Sequence, residues 1–382
     1  MVLETIHSRD DLLRLTPEEQ RTLCAEIRQF LVEHVSRTGG HLASNLGIVE
    51  TTVAIETVFD TRRDRLVFDV GHQSYVHKIL TGRMERFDTL RQYGGIAGFP
   101  KPCESECDAF VAGHASNAVS VALGMARART LRGENYQVAA LLGDGALTGG
   151  LAYEGLNNAG ISREPMVVIL NDNGMSITRN VGAISRYLAR ARLRPKYIGF
   201  KLWYRKATAK TAAGRKFYEL THKVKERMRR SLLGTTLFET LGFTYLGPVD
   251  GHDVEKVTEI LRTAVALHEP VIVHLITQKG KGYVPAEQGP QKFHGIGNGR
   301  GGILRCVRQG ADGARPRGQP RVRDHGGDGI WDGTESFCGC AAEPVLRRGH
   351  RGGARHLDGG GHGQAGDDSG GGHLFDVFAA EL

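Results

Sequence analysis

The stretch QVAALLGDGALTGG, residues 137–150, decides the fold. It runs from small apolar side chains into Gly143-Asp144-Gly145 and then toward a segment of helical length. A continuous apolar run of this kind is typical of a strand that is buried on both faces of a parallel sheet. Asp144 therefore either caps the helix that follows or, as an oxygen ligand, holds a metal ion.

Other segments of the chain repeat this pattern of a buried strand followed by a glycine-containing turn. They are RLVFDV (65–70), MVVIL (166–170) and PVIVHLI (270–276). Segments of helical length lie between them, such as 115–130 and 253–268. Upstream, Thr16 and Glu19 form a capping-box pattern around Pro17, which predicts the start of a helix. The alternation predicts an α/β fold with a parallel sheet and helices on both faces.

Polar residues follow two successive strands, and ligands of such sheets bind beyond the carboxyl ends of the strands. Asp144 follows 137–142, and Asn173 follows 166–170. Mg²⁺ takes oxygen ligands, and glycines beside Asp144 would let a diphosphate approach. The alternative is that Asn173 only makes a turn. The two residues together favour the metal site.

Histidines also occur in loops flanked by glycine or serine. They are His41, His72, His114 and His294. Such a set predicts a polar pocket that binds anions and moves protons. A zinc hydrolase is the alternative, but the pair of histidines that one element would contribute to zinc is missing from the sequence.

The bulk composition of the 382 residues, with 40% apolar and 24% charged residues, is that of a globular protein. No apolar run reaches the roughly 18 residues of a membrane span, and the N-terminus lacks a signal-peptide pattern. We therefore expect a cytoplasmic protein without a membrane partner. The six cysteines, Cys103 and Cys107 among them, are expected to be unpaired thiols.

Positive charge is concentrated in one segment, because 16 lysines and arginines but only two acids lie between Arg186 and Arg230. Binding of nucleic acid or of a membrane surface is one interpretation. We favour a solvated segment near a phosphate-bearing ligand, because its aromatic residues lack the spacing of a nucleic-acid module. No nucleic-acid partner is therefore expected.

Residues 298–382 have a different composition, with 22 of the 52 glycines, 11 arginines and no lysine. Hydrophobic periodicity disappears there, which predicts a low-complexity Gly/Arg-rich tail that is disordered or irregular. The expected organisation is a folded domain over 1–297 and this tail.

Several motifs of residues 1–297 together resemble the thiamine diphosphate enzymes, in which GDG (143–145) is followed by NDN (171–173). The chain is most similar to the 1-deoxy-D-xylulose-5-phosphate synthase family, whose enzymes are transketolase-like. The motifs are GGHLASNLGIVETTVAI (39–55), FDVGHQSYVHKILTGR (68–83), GHASNAVSVALGMA (113–126), GDGALTGGLAYEGLNNAG (143–160), VILNDNGMSIT (168–178), VDGHD (249–253) and KGKGYVPAEQGPQKFHG (279–295).

The resemblance implies thiamine diphosphate and Mg²⁺ as cofactors. It implies metal ligands at Asp144, Asn173 and the main chain of Met175. It implies cofactor contacts at His72, Gly113, His114, Ala115, Gly145, Ala146, Asn173 and Tyr283. His41 and His294 would face the reacting centre. Ala115 departs from the family, where many members have serine, but a backbone contact would survive this change.

The resemblance also implies condensation of pyruvate with glyceraldehyde 3-phosphate, release of CO₂, entry into non-mevalonate isoprenoid synthesis, and a homodimer. The family's pyrimidine-binding and C-terminal domains do not follow residue 297 in this reading frame. A one-nucleotide shift of G/C-rich codons over 351–382 can encode a stretch resembling the pyrimidine-binding domain, which favours a frameshift near 298–310. The chain as printed is then expected to be inactive. The alternatives are one subunit of a split transketolase and a non-catalytic binding fragment.

Overall fold

The parallel sheet consists of five strands in the order β1-β2-β3-β5-β4. A computed structural model describes residues 1–178, 180–192 and 236–297. The predicted tail at 298–382 and most of the basic segment lie outside these residues. The strands are β1 (Arg65–Phe68), β2 (Val138–Gly143), β3 (Met166–Asp172), β4 (Thr244–Asp250) and β5 (Pro270–Ile276). Every neighbouring pair is parallel, as the sequence predicts.

Helices precede the sheet and connect its strands. The α-helices are α1 (Arg9–Arg14), α2 (Pro17–Thr38), α3 (Leu42–Leu46), α4 (Val49–Val58), α5 (Tyr75–Lys78), α6 (Ala118–Arg132), α7 (Gly150–Ser162), α8 (Ala183–Arg192), α9 (Leu237–Thr240), α10 (Val254–Ala266) and α11 (Val284–Gln288). Short 3-10 helices lie at Leu3–Thr5, Met84–Thr89 and Ala146–Thr148, and a π-helical segment at Ile79–Arg83 follows α5. In the described part of the chain, no helix is both long and apolar enough to cross a membrane.

The hydrophobic core has two layers because side chains of a strand alternate between the faces of a sheet. On β3, Val167 and Ile169 pack with α2, α3, α4 and α10 on one face. Val168 and Leu170 pack with α6 and α7 on the other face. Helices therefore cover both faces, which confirms the predicted architecture.

The predicted helix start at Thr16 is confirmed in detail. The Thr16 side chain accepts a hydrogen bond from Glu19 N, the Glu19 carboxylate accepts one from Thr16 N, and Pro17 is the first helical residue. By contrast, β4 was not predicted. Gly247 and Pro248 interrupt it and shift its register against β5 after Leu246, so the period that identifies a strand is broken there.

One hydrogen bond connects the two described ends of the chain on either side of residues 193–235. The hydroxyl of Tyr187, on α8, accepts a hydrogen bond from Leu237 N at 3.0 Å. The Tyr187 ring also packs edge-on against Phe238, with the ring centroids 6.2 Å apart. The start of α9 therefore packs against α8.

Candidate functional site

The carboxyl ends of β2 and β3 are joined through Asp144. Gly143 pairs with Asn171 in the sheet, and Asp144 N donates to Asn171 O at 3.1 Å. The buried Asp144 carboxylate accepts hydrogen bonds from Gly174 N at 2.7 Å and from Asn180 Nδ2 at 2.9 Å. It does not cap α7, which begins after Gly149 without a side-chain cap. The helix-cap interpretation of Asp144 is therefore wrong.

Asn173 lies in the turn that Asp144 holds. Its Oδ1 accepts a hydrogen bond from Met175 N at 3.0 Å, so the expected turn contact of Asn173 is present. An amide oxygen has two lone pairs, and this bond leaves one of them for another donor or a cation. The turn contact and the predicted metal contact are therefore compatible.

A buried chain of hydrogen bonds supports this turn from inside the sheet. His274 Nε2 lies 2.9 Å from Asp172 Oδ2, and His274 Nδ1 lies 2.7 Å from the Tyr245 hydroxyl. Asp172 and His274 are fully buried. Asp172 also accepts from Gly174 N at 3.3 Å. The sequence motif contains Asp172, but the partner on β5 comes from the fold.

The glycines near Asp144 have different structural roles. A Cβ at Gly145 would lie 2.8 Å from Ser176 Cβ, and one at Gly149 would lie 2.2 Å from Ser116 Oγ. Those two glycines permit close packing of neighbouring turns. A Cβ at Gly143 would meet nothing within 4 Å. Gly143 therefore borders open space, as an approaching ligand requires.

The loop at 113–118 is held beside this turn by Asp69, which follows β1. The Asp69 carboxylate accepts from Ser116 N at 2.7 Å and from Ala118 N at 3.1 Å. Burial raises the pKa of Asp69, and these two bonds oppose the shift. The Ser116 hydroxyl donates to Ala146 O at 2.8 Å. Asp69 and Ser116 thus connect two predicted cofactor segments, and neither was a predicted site residue.

Two predicted contact residues of this loop, His114 and Ala115, are exposed. His114 O accepts a hydrogen bond from Val70 N at 3.2 Å, which fixes the backbone next to Gly113. The loop therefore presents backbone and small side chains near the end of β1, and its contact with Ala146 runs through Ser116.

His41, His72 and His294 form one pocket. The centroids of their rings lie 5.3 to 5.4 Å apart in every pairing. His41 Nδ1 and His72 Nδ1 are buried and have no hydrogen-bond partner in the described chain. Burial lowers the pKa of His41 to about 3 and that of His294 to about 4, and it places that of His72 well below the ordinary value. Three of the four histidines that were predicted to share a pocket therefore lie together, as neutral imidazoles at neutral pH, whereas His114 is exposed on the loop at 113–118.

Lys279, which was not predicted, connects this pocket to the turn after β3. Its buried Nζ donates to Ser176 O and lies 3.1 Å from His294 Nδ1. Burial lowers the pKa of Lys279 to about 8, and the charge of Asp144 opposes the shift. The ammonium is therefore a positive charge between the Asp144 turn and the histidines, where an anionic ligand would be stabilised.

Tyr283, a predicted cofactor residue, packs edge-on against Phe293 with centroids 5.7 Å apart. It is half-buried at the edge of the apolar cluster and precedes α11. Phe293 is the neighbour of His294, so Tyr283 supports the segment that carries a pocket histidine. Its ring contacts are apolar, and its backbone bonds to Gly280 and to the first turn of α11.

The oxygen ligands at the strand ends fit a magnesium ion that carries a phosphate ligand. In residues 1–178, 180–192 and 236–297, no three His, Cys, Asp or Glu side chains could hold one metal ion together. Mg²⁺ commonly takes one or two carboxylates from protein and completes its shell with phosphate and water. Asp144 with the amide of Asn173 is such a donor set.

Solved transketolases share this fold. The transketolase of Leishmania mexicana matches with a TM-score of 0.51 at 19% identity, over 77% of this chain and 41% of its own. That of Campylobacter jejuni matches with a TM-score of 0.52 at 22% identity, over 77% and 42%. The molecule therefore has a transketolase-like α/β fold.

Sequence relatives identify the family. Residues 3–277 match the model of the 1-deoxy-D-xylulose-5-phosphate synthase N-terminal region. The synthase of Clostridium kluyveri is 49% identical over 297 residues, 78% of this chain and 48% of its own. That of Natranaerobius thermophilus is 52% identical over 297 residues, which are 78% of this chain and 47% of its own. The chain belongs to the 1-deoxy-D-xylulose-5-phosphate synthase family, which confirms the predicted resemblance, and it spans about half the length of these relatives.

Proposed function

We propose that residues 1–297 supply the diphosphate- and metal-binding half of a thiamine diphosphate site for 1-deoxy-D-xylulose-5-phosphate synthesis. The reaction joins pyruvate to glyceraldehyde 3-phosphate and releases CO₂. The observation that carries the proposal is the meeting of the Asp144 turn, Lys279 and the histidine pocket at one edge of the sheet. When bound, the cofactor supplies a nucleophilic carbon and an electron sink.

The metal side of the site would consist of Asp144, Asn173 and the main chain of Met175. Their oxygens would bind Mg²⁺, which in turn neutralises the diphosphate. Gly145 and Ala146 would contact that diphosphate. His72, Tyr283 and the stretch of Gly113, His114 and Ala115 would line the cofactor. Open space beside Gly143 supports an approach from this direction.

His41 and His294 would orient substrate and move protons. Because burial keeps both imidazoles neutral at pH 7, each ring carries one N–H donor and one acceptor nitrogen. Lys279, charged below a pKa of about 8, would stabilise the anionic groups of cofactor or substrate. The two histidines would therefore act as hydrogen-bond donors and proton relays, and not as strong bases, beside a fixed cation.

The remaining half of the site is proposed to come from the pyrimidine-binding and C-terminal domains that a frame-restored gene would encode or, as the alternative, from a separate partner chain of a split transketolase. The curated relatives are about twice as long as the part matched here. We propose that the chain as printed has little or no synthase activity by itself. A frame-restored gene should then encode an active enzyme.

The test is Mg²⁺-dependent binding of thiamine diphosphate to the full chain, measured by calorimetry. We expect Asp144→Asn to weaken binding at least about a hundredfold, because even indirect supports of a metal site contribute about ten- to a hundredfold. Asp88→Asn is the matched control, since Asp88 is exposed and pairs with Arg37 at the surface.

Turnover of pyruvate with glyceraldehyde 3-phosphate completes the test. The printed chain should be nearly inactive and the frame-restored chain active. Binding that persists in EDTA, or equal binding by Asp144→Asn and Asp88→Asn, would contradict the metal site. Full turnover by the printed chain would contradict the half-site.

A further inference from the structure

A buried ionic cluster lies outside the proposed site, beneath the segment at 97–108. We call it the His77 cluster. Its members are Glu56, His77, Lys78, Arg83, Glu104 and Asp108. All except Glu104 are buried, and Glu104 is largely so. Removing charged side chains from water costs free energy, so a cluster of buried charges requires an explanation.

His77 has a carboxylate at each ring nitrogen. Nδ1 lies 2.6 Å from Glu56 Oε1, and Nε2 lies 2.9 Å from Asp108 Oδ1. A neutral imidazole carries only one N–H donor, whereas an imidazolium carries two. Burial opposes the charged ring, but Glu56 and Asp108 outweigh burial and raise the pKa of His77. Geometry and charge therefore both favour an imidazolium.

The charges around His77 balance when the ring is protonated. Three carboxylates face it or its neighbours, and Lys78 and Arg83 supply two cations. Arg83 donates to both oxygens of Asp108, at 2.7 and 2.9 Å. Cys107 is the remaining titratable group nearby, and burial raises its pKa, so it contributes no charge at neutral pH.

The carboxylates of the His77 cluster also hold the backbone of the segment 97–108, which we call the strap. Glu104 Oε1 accepts from Ala97 N at 2.6 Å. Asp108 Oδ2 accepts from Lys101 N at 2.7 Å. The cluster therefore fastens the strap on both sides of Phe99 and Pro100.

Phe99 and Pro100 form part of the wall of the histidine pocket. The Phe99 ring lies 6.0 Å from the ring of His41, centroid to centroid. Pro100 Cδ would lie 2.7 Å from a Cβ on Gly71, the residue before His72. The strap thus excludes water from the side of the pocket where two histidine nitrogens are buried without partners.

We propose that protonated His77 is a positioning residue that holds the strap closed against the histidine pocket. Deprotonation of the ring would remove one of its two N–H donors, so that Glu56 or Asp108 loses its bond to His77, and the strap would loosen. The inference rests on the proposed function only in treating the pocket as the ligand site. His77 is linked to His41 through Asp108, which holds the backbone at Lys101, and through the neighbouring ring of Phe99.

The first experiment is amide hydrogen exchange of the full wild-type chain from about pH 6 to about pH 10, corrected for intrinsic rates. We expect protection of the strap peptide to fall by up to about tenfold per pH unit once His77 loses its proton. The β3 peptide should keep its protection. A strap whose protection is independent of pH across this range would overturn the proposal.

The second experiment compares Asp108→Asn with Glu106→Gln at neutral pH. Glu106 is an exposed strap carboxylate paired with Arg62, so it is a matched control. The readout is carbethoxylation of His41 and His72 by diethylpyrocarbonate, located by mass spectrometry. In the Asp108→Asn variant, both His41 and His72 should be modified about a hundredfold faster than in Glu106→Gln, as expected when a buried ion pair is broken.

Equal modification of the two variants would overturn the strap's role, even if both remain folded. If Asp108→Asn does not fold, the wild-type exchange series decides the proposal alone. Neither experiment uses thiamine diphosphate or metal, so failure of the proposed function would not change either result.

Discussion

His72 and His77 lie five residues apart in VGHQSYVHK, yet they have opposite environments. His72 Nδ1 is buried without a partner, and burial lowers the pKa of the ring. His77 is bonded at both nitrogens, and its carboxylates raise its pKa. Buried polar atoms normally find partners, so a buried nitrogen without one calls for an explanation. His77 belongs to a network of buried charges, whereas the unpaired nitrogen of His72 agrees with the cofactor contact that we propose for it.

The largest expected difference is in stability, between His77→Phe and His72→Phe. His77→Phe removes one donor each from the buried carboxylates of Glu56 and Asp108 together with the charge of the ring, and we expect the free energy of unfolding to fall by about 3–5 kcal/mol, as for other buried pairs that lose one partner. His72→Phe removes an unpaired polar group and should change it by less than about 1 kcal/mol.

Urea unfolding of both variants and the wild-type chain at neutral pH measures this difference. His252→Phe provides a further reference, because His252 bonds to a single carboxylate, that of the buried Glu50. Similar losses for His72→Phe and His77→Phe would remove the distinction between the two environments.

The pH dependence of stability should also separate the two regions. Burial lowers the pKa of His41 to about 3 and of His294 to about 4, so the unfolded state binds more protons than the folded state. The free energy of unfolding should therefore fall as the pH decreases below about 6.5, by up to about 1.4 kcal/mol per pH unit for each group.

His77 has the opposite sign. Its pKa is raised, so the folded state binds the additional proton and stability should fall as the pH increases above about 6.5. Thermal unfolding across pH would show both limbs. His72→Phe should flatten the acid limb and His77→Phe the alkaline limb; the reverse assignment would contradict the structure.

The smallest effect concerns Lys279→Met. Burial is the largest cause of the lowered pKa values of His294 and His41, and the charge of Lys279 adds to it. Removing that charge should raise both pKa values by less than about one unit. Proton resonances of ¹³C-labelled histidine rings measure this shift. His77 is the internal control, and an equal shift at His77 would indicate a general loosening of the fold.

Much of the fold could be predicted because the sequence patterns that mark its strands and helix ends involve only neighbouring residues. β5 begins and ends where PVIVHLI does, and the capping box at Thr16 needs only neighbouring residues. β4 could not be predicted from periodicity, because Gly247 and Pro248 interrupt it. Asp144 and Asn173 were predicted together because parallel strands end at one edge of the sheet.

The supports of the site could not be predicted, since each depends on residues far apart in sequence. Asp69 reaches Ser116, and His274 reaches Asp172 across neighbouring strands. Lys279 lies in a glycine-rich loop, where nothing local indicates that its ammonium is buried. His77 shares its motif with His72, and only packing distinguishes their roles.

The hydrogen bond from Leu237 N to the Tyr187 hydroxyl joins residues that lie 50 positions apart in the sequence. Because the Tyr187 ring also packs against Phe238, the start of α9 is tied to α8 by one polar and one apolar contact. The position of α9 therefore depends on a single side chain of a helix that is distant from it in the chain.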